Sequence, residues 1–326
     1  MNFVPNNAES TDMATISASM VKELREKTGA GMMDCKSALI ENQGDVEAAV
    51  DWLRKKGLSK AAKKAGRIAA EGLIGITSTA GLGAVVEVNS ETDFVARNGQ
   101  FQVMVSDITA LAPKAAGDLA KLLAMPYPGK LASVEGHVQE MVATIGENMS
   151  VRRTATVTVG EGVVADYVHN KAANGLGKIG VLVAVESKGA ADKLVELGRQ
   201  VAMHIAAANP IAVSPEEIDK SVIDRERAIY VEQAKASGKS QEIAEKMVEG
   251  RLRKEFYEQV VLLQQTFLGA GGDGKQTVGQ FLKEQEKAVG SPIKVKSFVR
   301  YALGEGIEKK EEDFAEEVRK AASGAS

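Results

Sequence analysis

The sequence predicts an α+β protein built from several units. Three observations carry that expectation. Apolar residues recur at helical spacing over residues 17–57. From Glu71 onward, short apolar runs of strand length replace that spacing. Two stretches in this region also resemble each other: LGAVVEVNSETDFVARNGQFQVMVSDITALAP and IGVLVAVESKGAADKLVELGRQVAMHIAAANP. Each is a Gly-led strand followed by an amphipathic helix, ending at Pro113 or Pro210. Two related lobes of antiparallel strands covered by helices are the expected result.

The elements follow in order. Residues 1–13 are polar and read as a disordered extension, with Met13 as a second start. They lack the basic cluster and apolar run of a secretion signal. Residues 14–57 read as a three-helix module. Ser17 can cap a helix carrying Met20, Val21 and Leu24 on one face, and Thr28-Gly29-Ala30-Gly31 breaks it. A second helix spans about Met33 to Glu41. Asp45 caps a third, with Val46, Ala49, Val50 and Leu53 inward and Gly57 as its stop. So few residues make a small core, which suits a docking module better than a catalytic domain. Residues 58–70 form a basic linker, with seven Lys or Arg and no acid between Arg54 and Arg67.

Core lobe 1 is expected over 71–153 and core lobe 2 over 154–303. EGLIGITSTAG and TATVTVGEGVVADYVHN read as the hairpin partners of the two Gly-led strands. Residues 215–263 interrupt the second lobe as an antiparallel helical hairpin turning at Ser237-Gly238-Lys239. Its second helix carries a stripe of Ile243, Met247, Val248, Leu252, Phe256 and Val260. The helix TVGQFLKEQEKAV and the strand KVKSFVRYAL complete the lobe. Residues 304–326 read as an amphipathic C-terminal helix marked by Ile307, Phe314 and Val318.

Bulk properties narrow the function classes. Lys plus Arg number 41 against 44 acids, so non-specific nucleic-acid binding is not the main expected task. The basic linker carries no aromatic for base stacking, and no direct nucleic-acid contact is expected of it. The single cysteine, Cys35, permits no internal disulfide and fits a reducing cytoplasm. No apolar run reaches the roughly 18 residues of a membrane span.

Chemistry-bearing motifs fail on context. GLGKIG (Gly175, Gly177, Gly180) precedes a strand, whereas a dinucleotide loop must follow one, so it reads as a hairpin turn. GAGGDGKQ approaches a phosphate-binding loop, but Gln276 stands where a magnesium-binding hydroxyl is required. His137, His169 and His204 lie far apart with no acid or Cys at ligand spacing, so no metal site is expected. His204 sits in the apolar VAMHIAA and reads as a core residue. Nothing assembles a reaction centre, and the chain is not expected to be an enzyme.

One stretch stands out. In VNSETDFVARN, a strand ends and three polar residues, Glu91, Thr92 and Asp93, lead into the apolar pair Phe94-Val95. The first repeat carries extra residues here compared with the second, at a strand-to-helix turn where loops carry function. The pair either folds into its own lobe or is received by another molecule.

Several stretches together resemble the bacterial elongation factor Ts family. They are VKELREKTGAGMMDCKSAL, AAKKAGRIAAEG, VEVNSETDFVARN, IGENMSVRR, GKIGVLVAVES, AMHIAA, EIAEKMVEGRLRK and GEGIEKKEEDFAEEV, in family order over roughly residues 14–322. The resemblance implies an N-terminal three-helix (UBA-like) module, a two-lobed core, a projecting hairpin resembling a coiled coil, and a C-terminal helix. It implies a cytoplasmic guanine-nucleotide exchange factor for the GTPase elongation factor Tu. Thr92, Asp93, Phe94 and Val95 would enter the partner near its magnesium and phosphate site. Arg25, Met32 and Met33 would contact the GTPase from the N-terminal module, His169, Phe267 and Leu268 from the second lobe, and Phe314 from the C-terminal helix. The chain would hold no cofactor, since GDP, GTP and magnesium belong to the partner. A homodimer or two-to-two complex is compatible with the family. The chain departs from the family at Gln265-Thr266-Phe267, where Gln-Pro-Phe is frequent, and in the longer glycine loop that follows.

Overall fold

The computed structural model describes residues 16–28, 30–238, 240–269 and 274–308. The expected disordered extension and the C-terminal helix, with Phe314, therefore lie outside the described residues. The protein combines helices with antiparallel sheets in two compact units. One comprises the residues up to Arg67 together with Glu135–Met149, and the other comprises Ile68–Val134 with the residues from Ser150 onward.

In the first unit, helices α1 (Ala18–Thr28), α2 (Met32–Glu41) and α3 (Val46–Lys64) share a core of Leu24, Cys35, Ala38, Leu39 and Ala49. The Asp45 carboxylate accepts from the Glu47 and Ala48 amides and fixes the start of α3. Gly57 does not stop this helix, contrary to the sequence expectation. α3 continues to Lys64 and takes up most of the basic linker. The helix over Val134–Ile145 supplies the reason, since a Cβ at Gly57 would lie 3.3 Å from that of Ala143. Lys64 Nζ also donates to the Gly146 carbonyl, and Asn148 Nδ2 donates to the Arg67 carbonyl at 2.7 Å. Tertiary contacts thus outweigh the local cost of a mid-helix glycine. Residues 135–149 belong with this unit and not with the first lobe as expected.

The second unit holds two sheets. Strands β1 (Glu71–Ser78), β2 (Leu82–Ser90), β3 (Met149–Thr158) and β5 (Leu176–Gly177) form one, in the order β3-β2-β1-β5. Strands β4 (Gly162–His169), β6 (Ile179–Glu186) and β7 (Lys294–Ala302) form the other, in the order β4-β6-β7. Ile74, Ile76 and Val85 from the first sheet meet Val164, Val168, Leu182 and Ala184 from the second in a shared core. Because both faces of β2 and β6 are covered, their burial is nearly continuous rather than alternating.

Helices cap the outer faces. Between β2 and β3 lie α4 (Asp93–Ala96), α5 (Gly99–Ala115), α6 (Leu119–Ala124) and α7, the Val134–Ile145 helix. α5 lies on β1 and β2, and α8 (Ala191–Ala208) lies on β4 and β6. A Cβ at Gly198 of α8 would approach that of Ala165 in β4 to 2.5 Å, so glycine there permits the close seating of this helix. The two Gly-led repeats correspond to β2–α5 and β6–α8, as expected. The first partner strand, EGLIGITS, forms β1 beside β2 as expected, whereas the second differs in part. TATVT forms the end of β3 and joins the first sheet beside β2, and only GVVADYVH forms β4 beside β6. GLGKIG begins in the connection between the antiparallel strands β4 and β6, as expected of a hairpin turn, and it also carries a short strand. Leu176-Gly177 pairs with Gly75-Ile74 as β5, and the chain then passes directly into β6.

Residues between α8 and β7 form a helical pair. The Pro215–Glu217 segment is a single 3₁₀ turn, and α9 (Lys220–Ala236) starts only after the Asp219 cap. α10 (Gln241–Arg251) follows, widens into a π-helical segment over Leu252–Tyr257, and ends in the short α11 (Glu258–Val260). Tyr230, Val248 and Leu252 form the shared core. The expected stripe is only partly inward, since Ile243 and Met247 are exposed. At the end of the π segment, Phe256 and Tyr257 pack both here and against Ile218 and Val261 near the pair's base. α12 (Val278–Val289) starts in a reciprocal Thr277–Gln280 capping box and leads to β7.

Candidate partner-binding site

The chain leaves β2 at Ser90, whose hydroxyl donates to the Thr92 carbonyl at 3.0 Å. Thr92 is extended and precedes the four-residue helix α4. The Arg97 amide donates to the Phe94 carbonyl and the Asn98 amide to that of Val95. Gln102 Nε2 donates to the Ala96 carbonyl at 3.0 Å, and Asn98 caps α5 through the Gln100 and Phe101 amides. The short helix is therefore braced on both sides. Its Val95 and Ala96 side chains are buried, while Phe94 is 74% exposed.

The apolar pair thus has two fates. Val95 does not offer itself outward as expected; it is an anchor in its own lobe. Helical geometry turns consecutive side chains about 100° apart, so anchoring Val95 and Ala96 rotates Phe94 into solvent. Asp93 forms an ion pair with Arg97 at 2.8 Å, with both side chains substantially exposed.

On the first unit, Cys35, Ala38 and Leu39 turn α2 inward. Met32 and Met33 are exposed on it, and Arg25 is exposed on α1. Ile40 is a third exposed apolar side chain of α2, seven positions after Met33 and so on its face. That spacing was available in the sequence, but Ile40 was hidden there by its place in the apolar run Ala38-Leu39-Ile40.

In the second unit, His169 is exposed at the end of β4, its Nδ1 3.0 Å from the Tyr167 hydroxyl. Phe267 is a correction: it is 2% exposed and stacks on Phe281 with ring centroids 4.0 Å apart. An aromatic held this way supports the neighbouring surface and does not reach a partner. Leu268 beside it is 62% exposed. No group of three or more His, Cys, Asp or Glu side chains among the described residues could hold a metal ion. No described helix is long and apolar enough to cross a membrane.

Residues 91–305 match the family model described as elongation factor TS. A protein named elongation factor Ts from Parvibaculum lavamentivorans is 62% identical over 312 residues, covering 96% of this chain and all of that one. The chain belongs to the elongation factor Ts family. Members with the same name from Rhodospirillum centenum and Bartonella henselae are each 56% identical, covering 94% and 95% of this chain and 98% and 100% of theirs. Membership makes the chain a translation elongation factor, and the matched region spans the exposed Phe94, His169 and Leu268.

Proposed function

We propose that the chain binds the GTPase elongation factor Tu in the cytoplasm and accelerates release of its GDP, so that GTP can reload. The observation that carries this is Phe94, a bulky apolar side chain held in water by a braced four-residue helix. Ordinary folding would turn such a ring inward, and burying it in a partner cleft contributes on the order of 2 kcal/mol.

The mechanism requires no bond making in this chain. A GTPase holds nucleotide through magnesium, loop amides and ordered switch segments. A ring wedged beside those segments favours their displaced arrangement. Whatever factor of affinity the wedge loses when nucleotide is bound, nucleotide loses when the wedge is bound. Asp93 is released to the partner at little cost, because an exposed i,i+4 ion pair contributes only about 0.3–0.5 kcal/mol. Met32, Met33 and Arg25 on the first unit, and His169 and Leu268 on the second, supply further contacts. Phe314 adds one from the C-terminal segment. GDP, GTP and magnesium remain the partner's ligands, and the isolated chain binds none of them.

The test follows release of fluorescent GDP from elongation factor Tu. Phe94→Ala is expected to slow stimulated release by about tenfold or more while leaving the thermal unfolding midpoint unchanged. An unaltered release rate in the folded variant removes Phe94 as the wedge.

A further inference from the structure

His204 sits on α8, 1% exposed, in an otherwise apolar face. A buried imidazole must place both ring nitrogens. The Leu268 backbone N–H donates to Nδ1 at 3.2 Å, which leaves the ring proton on Nε2. Nε2–H in turn donates to Gln265 Oε1 at 2.9 Å. Burial disfavours the charged ring, against an opposing pull from Gln265. Gln265 is itself fixed, its Nε2 donating to the Gln259 carbonyl at 2.6 Å and the Ala208 carbonyl at 3.3 Å.

These bonds end at a particular place. The Phe267 amide donates to the Gln276 carbonyl, the Val278 amide donates to the Gln265 carbonyl, and Thr266 bridges Thr277. The Phe267 ring is held by Phe281 and lies 5.9 Å from the His204 ring. Leu268 follows, anchored by its amide on His204 with its side chain in solvent. A Cβ at Gly269 would come within 2.2 Å of Phe267 Cζ, so the chain folds back over that ring immediately afterwards. An apolar side chain at 204 could fill the space, but only an acceptor at the Nδ1 position fixes the Leu268 backbone.

We propose that His204 is a positioning residue: through Nδ1 it holds the Leu268 backbone so that the exposed leucine is presented to the GTPase. This rests on the reading above that Leu268 touches the partner. An exposed leucine beside a glycine loses backbone and rotamer freedom on binding, and prior fixation reduces that loss. The effect belongs in affinity for the partner. The maximal exchange rate, which depends on the Phe94 wedge, is left alone.

The experiment measures stimulated GDP release against concentration of the full-length chain. His204→Asn keeps an acceptor close to the Nδ1 position, whereas His204→Gln keeps a donor near Nε2 and loses that acceptor. His204→Gln is expected to raise the half-saturating concentration by roughly three- to tenfold at unchanged maximal rate, the size of one lost hydrogen bond. His204→Asn should restore it to within about twofold, and Leu268→Ala should match His204→Gln. The double variant His204→Gln/Leu268→Ala should be no weaker than Leu268→Ala alone. In the unmodified protein, NMR should show scalar coupling across the Leu268 N–H···Nδ1 bond. Absence of that coupling, or a His204→Gln effect that adds fully to Leu268→Ala, overturns the proposal. If Leu268→Ala leaves half-saturation unchanged, Leu268 is no contact and the proposal falls with it. The Phe94→Ala result would still stand on its own.

Discussion

Glu87 is a carboxylate with no exposed surface, set between valines in the middle of β2. It accepts from the Gly304 amide at 2.8 Å, Asn89 Nδ2 at 3.1 Å, Arg152 Nη1 at 3.1 Å and Arg153 Nε. Arg153 also lies 4.0 Å over the Tyr301 ring, and Arg152 donates to the Glu305 carbonyl at 2.7 Å. Burial pushes the Glu87 carboxyl up, but the Gly304 amide, Arg153 and Asn89 outweigh it and hold it below the usual range. A depressed folded-state value means that the unfolded chain takes up the proton first as pH falls. The stabilisation is complete above the unfolded value of about 4.3 and is lost as pH falls through the folded one. Glu87→Gln is therefore expected to cost on the order of 3 kcal/mol at pH 7 in urea unfolding, leaving two arginines without their shared counter-charge. The gap between variant and parent should close in acid. Equal stabilities at pH 7 would remove this network as a stabilising device. Nothing in AVVEVNS marks Glu87 as the hub, because its arginine and Gly304 partners lie more than sixty residues away in the chain. Phe94 and Val95 show the converse. Their local sequence singled them out, but only the register of α4 separates the exposed ring from the buried valine.

The elements that were legible in sequence are those with local signals. Asp45, Asn98 and Thr277 cap helices because a short polar side chain satisfies amides two or three positions ahead. The limits of α3 were not legible, since Ala143 and Gly146, which extend it past Gly57, come from distant residues. The α9–α10 pair illustrates an element with a thin core, with Tyr230, Ala234 and Val248 as its buried side chains among the described residues, joined by Leu252 from the π segment. Elements with little buried apolar surface open at low free energy. Backbone amides over residues 220–251 are thus expected to exchange with deuterium faster than those of β6, as read by mass spectrometry. Comparable protection would show that the pair is stabilised by something beyond these contacts. Gly269 makes a sharper case. Gly269→Ala drives a Cβ into the Phe267 ring and is expected to lower the thermal midpoint by several degrees, about 1–3 kcal/mol of overpacking. An unchanged midpoint would mean that the backbone at Gly269 gives way without cost.

At the scale of the molecule, the α+β class and the repeated strand–helix segments were legible from periodicity. Strand order was not, because it depends on which distant segments find each other. β3 crosses to the first sheet and β5 inserts beside β1, and neither pairing leaves a local trace. The first compact unit is discontinuous in sequence, since residues 135–149 return to it after the chain has run through Ile68–Val134 of the second. A fragment ending at Arg67 is expected to keep the Leu24–Leu39–Ala49 core but to fray after Gly57, as seen in NMR chemical shifts. Full helicity to Lys64 in that fragment would show that α7 is dispensable to α3. The braced α4 carries a final consequence. Phe94 already stands in water on a braced helix, so the proposed engagement of the GTPase would involve no unmasking of this ring. On that reading, observed association should rise linearly with concentration without a plateau set by exposure of this ring, and the abundance of the factor would set the extent of exchange.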